Sequence, residues 1–318
     1  MARLLQIVNG KPVETQGAKA RDLSTEDEFS WLHLDGRDEG DKAWLARQSG
    51  LPETVRGALI ARETRPRTEF VDEGALVNLR GLGATPDDDP DPLTSIRFWA
   101  AAGRIMSVSF RTSASLEPVV ECFLASEITT PGDLLAEFAR DMSERLDPKV
   151  GDLGDTIDFC EGRLDAKRAH AVRRRVAKAR SEAIAYRRFI VPQLHAVEAL
   201  ATTSAEWVEK DDREHLRAAQ DRFARMAEEL ESVRERSALI SEELTDLRAE
   251  QLDRRSLLLS IVALIFLPLT FITGLFGMNT RVPWEQDIQG FWIILGVCAA
   301  ITLSLLGWFA RRHWLGER

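Results

Sequence analysis

Apolar and polar positions along the chain fall into three regimes of different period. Up to about residue 150, short apolar runs alternate with amphipathic ones. Residues 4–8, 31–34, 75–82, 96–101 and 105–110 are apolar over strand length and predict β-strands. Residues 42–49, 52–61, 116–126 and 132–146 repeat their apolar positions by threes and fours and predict helices. A charged helical pattern then runs from 161 to 201 with one interruption at Pro192, and the polar stretch 202–212 reads as a turn. Beyond it neither glycine nor proline occurs from Glu214 to Leu267. One helix can therefore continue to Phe276, roughly 95 Å at 1.5 Å per residue.

The last part of that helix, residues 257–276, carries no charge and little polarity beyond Ser260, Thr270 and Thr273. Twenty residues of this kind match a hydrocarbon core of roughly 30 Å. A second apolar run, 291–309, follows a short polar loop. The pattern predicts an integral α+β membrane protein: an α/β layer domain at 1–150, a long-helix region at 151–256, a span at 257–276, a loop at 277–290, a span at 291–310 and a tail at 311–318.

The long helix carries two seams. Leu216, Ala219, Phe223, Met226, Leu230, Val233, Ser237, Ile240, Leu244 and Leu247 form an apolar seam suited to packing along neighbouring helices. Two positions on, and so about 200° round, lies a second seam: Glu242, Asp246, Ala249, Asp253, Ser256, Ser260, Ala263, Leu267, Thr270 and Gly274. Two readings fit it. One is a solvated face below and small-residue helix packing above; the other is a continuous pore wall, acidic at one end and small or hydroxylated in the bilayer.

Charge narrows the function. The net charge is −9 and almost all of it lies before the first span, which excludes the basic footprint that nucleic acid requires. Arg254 and Arg255 precede the first span and Arg311 and Arg312 follow the second, while the intervening loop holds only Arg281. Positive residues mark the cytoplasmic side, so both termini are expected in the cytoplasm. The N-terminus lacks the apolar core of an export signal. Cys122, Cys160 and Cys298 are scattered, and His33, His170, His195, His215 and His313 show no ligand spacing. Neither a disulfide framework, a zinc site nor an enzyme's nucleophile and base is indicated. The acidic run Asp87, Asp88, Asp89 and Asp91 fits either a cation site or a solvated connector.

Gly277-Met278-Asn279, at the end of the first span, resembles the signature of the CorA-type divalent-cation transporters. Several stretches resemble the zinc-transporting, ZntB-like branch of that family: ETRPRTEF at 63–70, LTSIRFW at 93–99, RIMSVSFR at 104–111, RRFIVPQ at 187–193 and LSIVALIFLPLTFITGLFGMN at 259–279. The resemblance implies a homopentameric funnel in a bacterial-type inner membrane. The first membrane helix of each copy would line a central pore and the second would form an outer ring. Zinc is the implied ion, magnesium or cobalt the alternative; direction and proton coupling stay open, and no cofactor is implied. The residues after the signature, Thr280-Arg281-Val282-Pro283-Trp284-Glu285, depart from the aromatic-Met-Pro-Glu of magnesium members, and Arg281 is unusual for both branches.

Under this resemblance Gly277, Met278 and Asn279 form the outer mouth, with Asn279 amide oxygens able to hold a cation's hydration water. Asn279 also fits a plain helix-cap role. Gly274, Thr270, Leu267, Ala263, Ser260 and Ser256 would line the pore, Leu267 as a water-excluding constriction beside the flex point Pro268. Thr270 fits either a hydroxyl ring or a bond to its own helix. Asp253, Asp246 and Glu242 would form an acidic inner vestibule, or are ordinary surface charge. Arg254, Arg255, Arg311 and Arg312 fit topology anchors or a basic collar. A membrane-anchored coiled-coil scaffold that conducts nothing is the rival of another class; it needs only the apolar seam.

Overall fold

The computed structural model describes residues 2–21, 29–47, 50–61, 65–85, 91–165, 168–278 and 288–315. The chain divides into two compact units, one of Met1–Leu164 with Arg168–Ser241 and the other of Asp165–Lys167 with Glu242–Arg318.

The first unit is built on a seven-stranded mixed sheet of order β2-β1-β3-β7-β6-β5-β4. Its strands are β1 (Arg3–Val8), β2 (Lys11–Gln16), β3 (Phe29–Asp35), β4 (Arg67–Val71), β5 (Gly74–Leu82), β6 (Leu93–Ala101) and β7 (Arg104–Ser109). All neighbours pair antiparallel except β3 and β7, which run parallel with Trp31 beside Ile105. The five expected strands are present, and two were not expected. β1 turns into β2 through Asn9 and Gly10, both at positive φ (51° and 72°), as a two-residue turn matched to strand twist requires. β4 is joined to β5 through Asp72 at φ 51° and Glu73.

Strand alternation sends side chains to two faces. On one, Leu32, Leu34, Leu76, Trp99, Met106 and Val108 form a buried cluster with Leu45 of α1 (Glu39–Ala46) and Val55 and Leu59 of α2 (Glu53–Ile60). On the other, the rings of Phe29 and Trp31 lie 5.6 and 6.2 Å from Phe123 of α3 (Leu116–Leu124). Trp31 and Phe98 lie 5.6 and 5.0 Å from Phe138 of α4 (Pro131–Glu161). Each of these fully buried rings contributes about 2–3 kcal/mol by leaving water. The outcome is a sheet between two helical layers, as the alternating pattern predicts.

α4 starts on a capping box in which the Thr130 hydroxyl accepts from the Asp133 N–H, Asp133 accepts from the Thr130 N–H, and Pro131 supplies the first helical φ. It does not stop at residue 146 as expected but passes Pro148 and ends at Glu161. α5 (Ala169–Ala201) likewise passes Pro192. In α6 (Lys210–Phe276) the apolar seam is buried from Leu216 to Ile240, against a unit that also buries Leu146, Val150 and Ile157 of α4 and Val172, Val176 and Val197 of α5. Charged side chains tie the helices together. Arg222 bonds the Ser143 hydroxyl at 3.2 Å, Arg187 pairs with Glu231 at 2.8 Å, and Arg236 pairs with both Asp158 and Glu161.

The second unit holds the C-terminal part of α6 and the helix α7 (Ile288–Leu315). The helix extends beyond the span expected at 291–310 at both ends, so Arg311 and Arg312 continue it.

Candidate ion-conduction site

The apolar end of α6 and the body of α7 are each long and apolar enough to cross a membrane. Neither is a core helix: Leu259, Leu267 and Phe271 are 72, 73 and 69% exposed, and Phe291, Trp292 and Leu303 are exposed as well. Apolar surface on this scale needs a covering of lipid or of other helices.

Every member of the second seam from Glu242 to Gly274 is exposed. At 100° per residue these ten positions stay within an arc of about 120°, so the seam holds one side of α6 across the change from acidic to apolar sequence. Around Gly274 nothing approaches within 4 Å of where a Cβ would lie, leaving that face open to close approach.

Within the apolar stretch the two threonine hydroxyls bond their own helix. Thr270 donates to the Phe266 carbonyl at 2.7 Å and Thr273 to the Leu269 carbonyl at 2.9 Å. Each of these two hydroxyls keeps acceptor capacity. Pro268 lies inside the helix and gives no N–H to the Leu264 carbonyl, which weakens the ladder one residue from Leu267. The last turn closes with Gly277 N–H donating to the Thr273 carbonyl at 2.9 Å. A Cβ on Gly277 would lie only 3.1 Å from that oxygen. Met278 is exposed; Asn279, Arg281 and the loop through residue 287 lie outside the described residues.

The charged positions separate. Glu242, Asp246 and Asp253 are exposed, as are Arg254, Arg255 and Arg311; the Arg312 side chain is outside the described set. Of the acidic run in the first unit, residues 87–89 are outside it too, whereas Asp91 pairs with Arg80. Among the described residues no group of three or more His, Cys, Asp and Glu is placed to hold a metal ion. His33 is buried against Ser107 (2.8 Å) and Ser109 (3.3 Å), and burial beside Arg3 pushes its pKa down to about 4, which leaves a neutral core imidazole.

Residues 26–312 match the family described as CorA-like Mg2+ transporter protein. The chain belongs to that family. Among CorA-like relatives, it is 31% identical over 295 residues to the zinc transport protein ZntB of Yersinia enterocolitica, covering 92% of this chain and 90% of the relative. It is 29% identical over 293 residues to the divalent cation transporter CmaX of Pseudomonas aeruginosa, covering 91% and 88%. Its structure matches that of full-length CmaX with a TM-score of 0.78 at 27% identity, over 98% of this chain and 97% of the other. The CorA-like architecture is therefore the one expected: a sheet domain, a long helix that ends apolar, and a second apolar helix.

Proposed function

We propose that this chain carries divalent cations, zinc foremost, through the central pore of a homopentamer in a bacterial-type inner membrane, with α6 of each copy facing the pore and α7 outside it. The observation that carries the reading is the unbroken exposed seam of α6. Five copies turned inward would cover it and would form a conduit, acidic at Glu242, Asp246 and Asp253 and narrow at Leu267. Membership of a transporter family supports conduction over a passive scaffold, and the zinc-transporting relative at 31% identity supports zinc. Gly277, Met278 and Asn279 form the outer mouth in this reading. The arginines flanking the spans support a cytoplasmic location for both termini.

The seam offers carboxylates, hydroxyls and carbonyls but no thiolate or imidazole, the donors zinc prefers. An ion therefore passes with most of its water, and selectivity rests on size and charge. The test is flux into liposomes of the purified chain, with zinc and magnesium offered separately, each with and without a pH gradient. Zinc uptake above that of protein-free vesicles supports the proposal; magnesium uptake without zinc uptake replaces the ion, and no uptake of either rejects transport. Stimulation by the gradient assigns proton coupling.

A further inference from the structure

A second feature lies far from the seam in sequence, within the first unit. On the face of the sheet shared with α1 and α2, a cleft of about 830 Å³ opens beside the ends of β5, β6 and β7. Among the described residues its lining carries five cationic side chains, Arg37, Lys42, Arg80, Arg97 and Arg111, and one carboxylate, Asp91. Alternation explains the convergence: Arg80 pairs with Ser95 and Arg97 with Val108, which turns both guanidinium groups to one face.

Most of these cations have partners. Arg80 pairs with Asp91 and stacks 3.8 Å over the Phe189 ring. Arg111 donates to the Asp91 carbonyl at 3.0 Å, Lys42 pairs with Glu39 at 2.7 Å, and Arg37 lies 3.5 Å from Asp35. Arg97 is the exception. It is 3% exposed, yet its Nε and Nη1 bond nothing, and its guanidinium lies 4.9 Å from the centre of the Phe110 ring. A buried guanidinium whose N–H groups face a cleft without an acceptor is costly to the fold. Burial, together with the charges of Arg67 and Arg80, pushes its pKa down to about 10. Elsewhere the wall is fitted closely: at Gly36 a Cβ would meet the Phe110 ring at 2.8 Å.

We infer that this cleft is a binding site for a small organic anion bearing two or more phosphates, with Arg97 at its floor and Arg37, Lys42 and Arg111 around its rim. A planar guanidinium fork matches phosphate oxygens in pairs. Asp91, Glu39 and Asp35 offset three of the five cations, so two positive charges remain among the described residues, and the volume is that of a ligand site for a molecule larger than an isolated ion. Ile60, Leu93 and Phe110 add an apolar flank for its organic part.

The test is calorimetric titration of the full chain in detergent, with a chelator present so that no divalent cation contributes. The probes are inorganic tripolyphosphate, ATP, orthophosphate and adenosine. Tripolyphosphate and ATP are expected to bind, ATP the more tightly, orthophosphate at least tenfold more weakly, and adenosine not at all. Arg97→Gln is expected to weaken both binders at least tenfold. Its unfolding midpoint without ligand should equal or exceed that of the parent, since a stranded charge is removed. The exposed pair Arg37→Gln and Lys42→Gln, which leaves the fold untouched, is expected to weaken ATP three- to tenfold; if Arg97→Gln fails to fold, this double variant decides. Absence of binding by tripolyphosphate and ATP at millimolar concentration overturns the inference. So does equal affinity in the parent and the variants, or orthophosphate binding as tightly as tripolyphosphate.

Discussion

Two helix starts in the first unit face each other through carboxylates, and this predicts a stability that depends on pH at one residue. Asp133 caps α4 from the third position; Asp212 does the same for α6, accepting the Glu209 N–H at 2.7 Å. Asp212 is buried against Gly132 and hydrogen-bonded to Asp133. Burial and that neighbouring carboxyl raise the Asp212 pKa to about 7, while hydrogen bonds to Asp212 and to the Thr129 and Thr130 N–H groups lower that of Asp133. The raised group contributes stability that is complete below its unfolded value near 3.8 and is lost as pH rises through about 7. The distance from 3.8 to about 7 corresponds to a ceiling of about 4 kcal/mol. Relaxation of the pair on ionisation reduces it to roughly 2 kcal/mol, or 4–8 °C in the midpoint of a unit this size. His33 acts in the opposite sense: its depressed pKa adds stability above 6.5 that is lost as pH falls toward 4, so the parent profile is flattened between these values. The informative quantity is therefore the difference between Asp212→Asn and the parent. Asparagine keeps the acceptor for Glu209 and offers Asp133 a donor without titrating. Thermal unfolding of the detergent-solubilised chain should show the variant gaining those 4–8 °C on the parent between pH 4.5 and pH 8.5. Parallel movement of the two midpoints would refute the shared-proton reading.

Four further outcomes follow from the same contacts and from the proposed pore. Gly132→Ala places a Cβ against the Asp212 carboxyl and should destabilise the first unit by about 2 kcal/mol, read as a lower denaturant midpoint, with relief when combined with Asp212→Ala. Asn279→Ala should remove most zinc flux while the oligomer elutes unchanged on gel filtration. Replacing Glu242, Asp246 and Asp253 by their amides should lower flux more at low salt than at high salt, because the vestibule's attraction is screened within about 8–10 Å at physiological ionic strength; equal losses place these residues on an outer surface. A membrane-impermeant maleimide should label Gln286→Cys in intact cells and leave the parent chain unlabelled.

The long helix was legible because it is governed by local rules: no breaker from Glu214 to Leu267 and an apolar repeat that the structure buries. The two missed strands are edges. β2 carries Lys11, Pro12 and Glu14 and alternates weakly, and β4 is largely exposed, so neither has the apolar run that marks a strand. Asn9-Gly10 was the available signal for β2, since that pair favours a two-residue hairpin. α4 runs past its expected end at residue 146 and through Pro148, whose missing N–H is a local cost that surrounding packing overrides. The basic cleft was not legible at all. Its residues come from α1, the end of α2, strands β5 and β6 and the connections around them, and only β-sheet register brings Arg80 and Arg97 to one face.

The single parallel pairing in the sheet has a consequence for synthesis on the ribosome. The β2-β1-β3 ribbon emerges early, but the partner of β3 is β7, and Asp35 must wait for Ser109. His33 and Ser107, bonded across that seam, are 74 residues apart. At 5–20 residues per second, that separation corresponds to about 4–15 s of elongation. For that interval the nascent chain displays one unpaired edge of an apolar strand, Phe29–Asp35, open to pairing with the wrong partner.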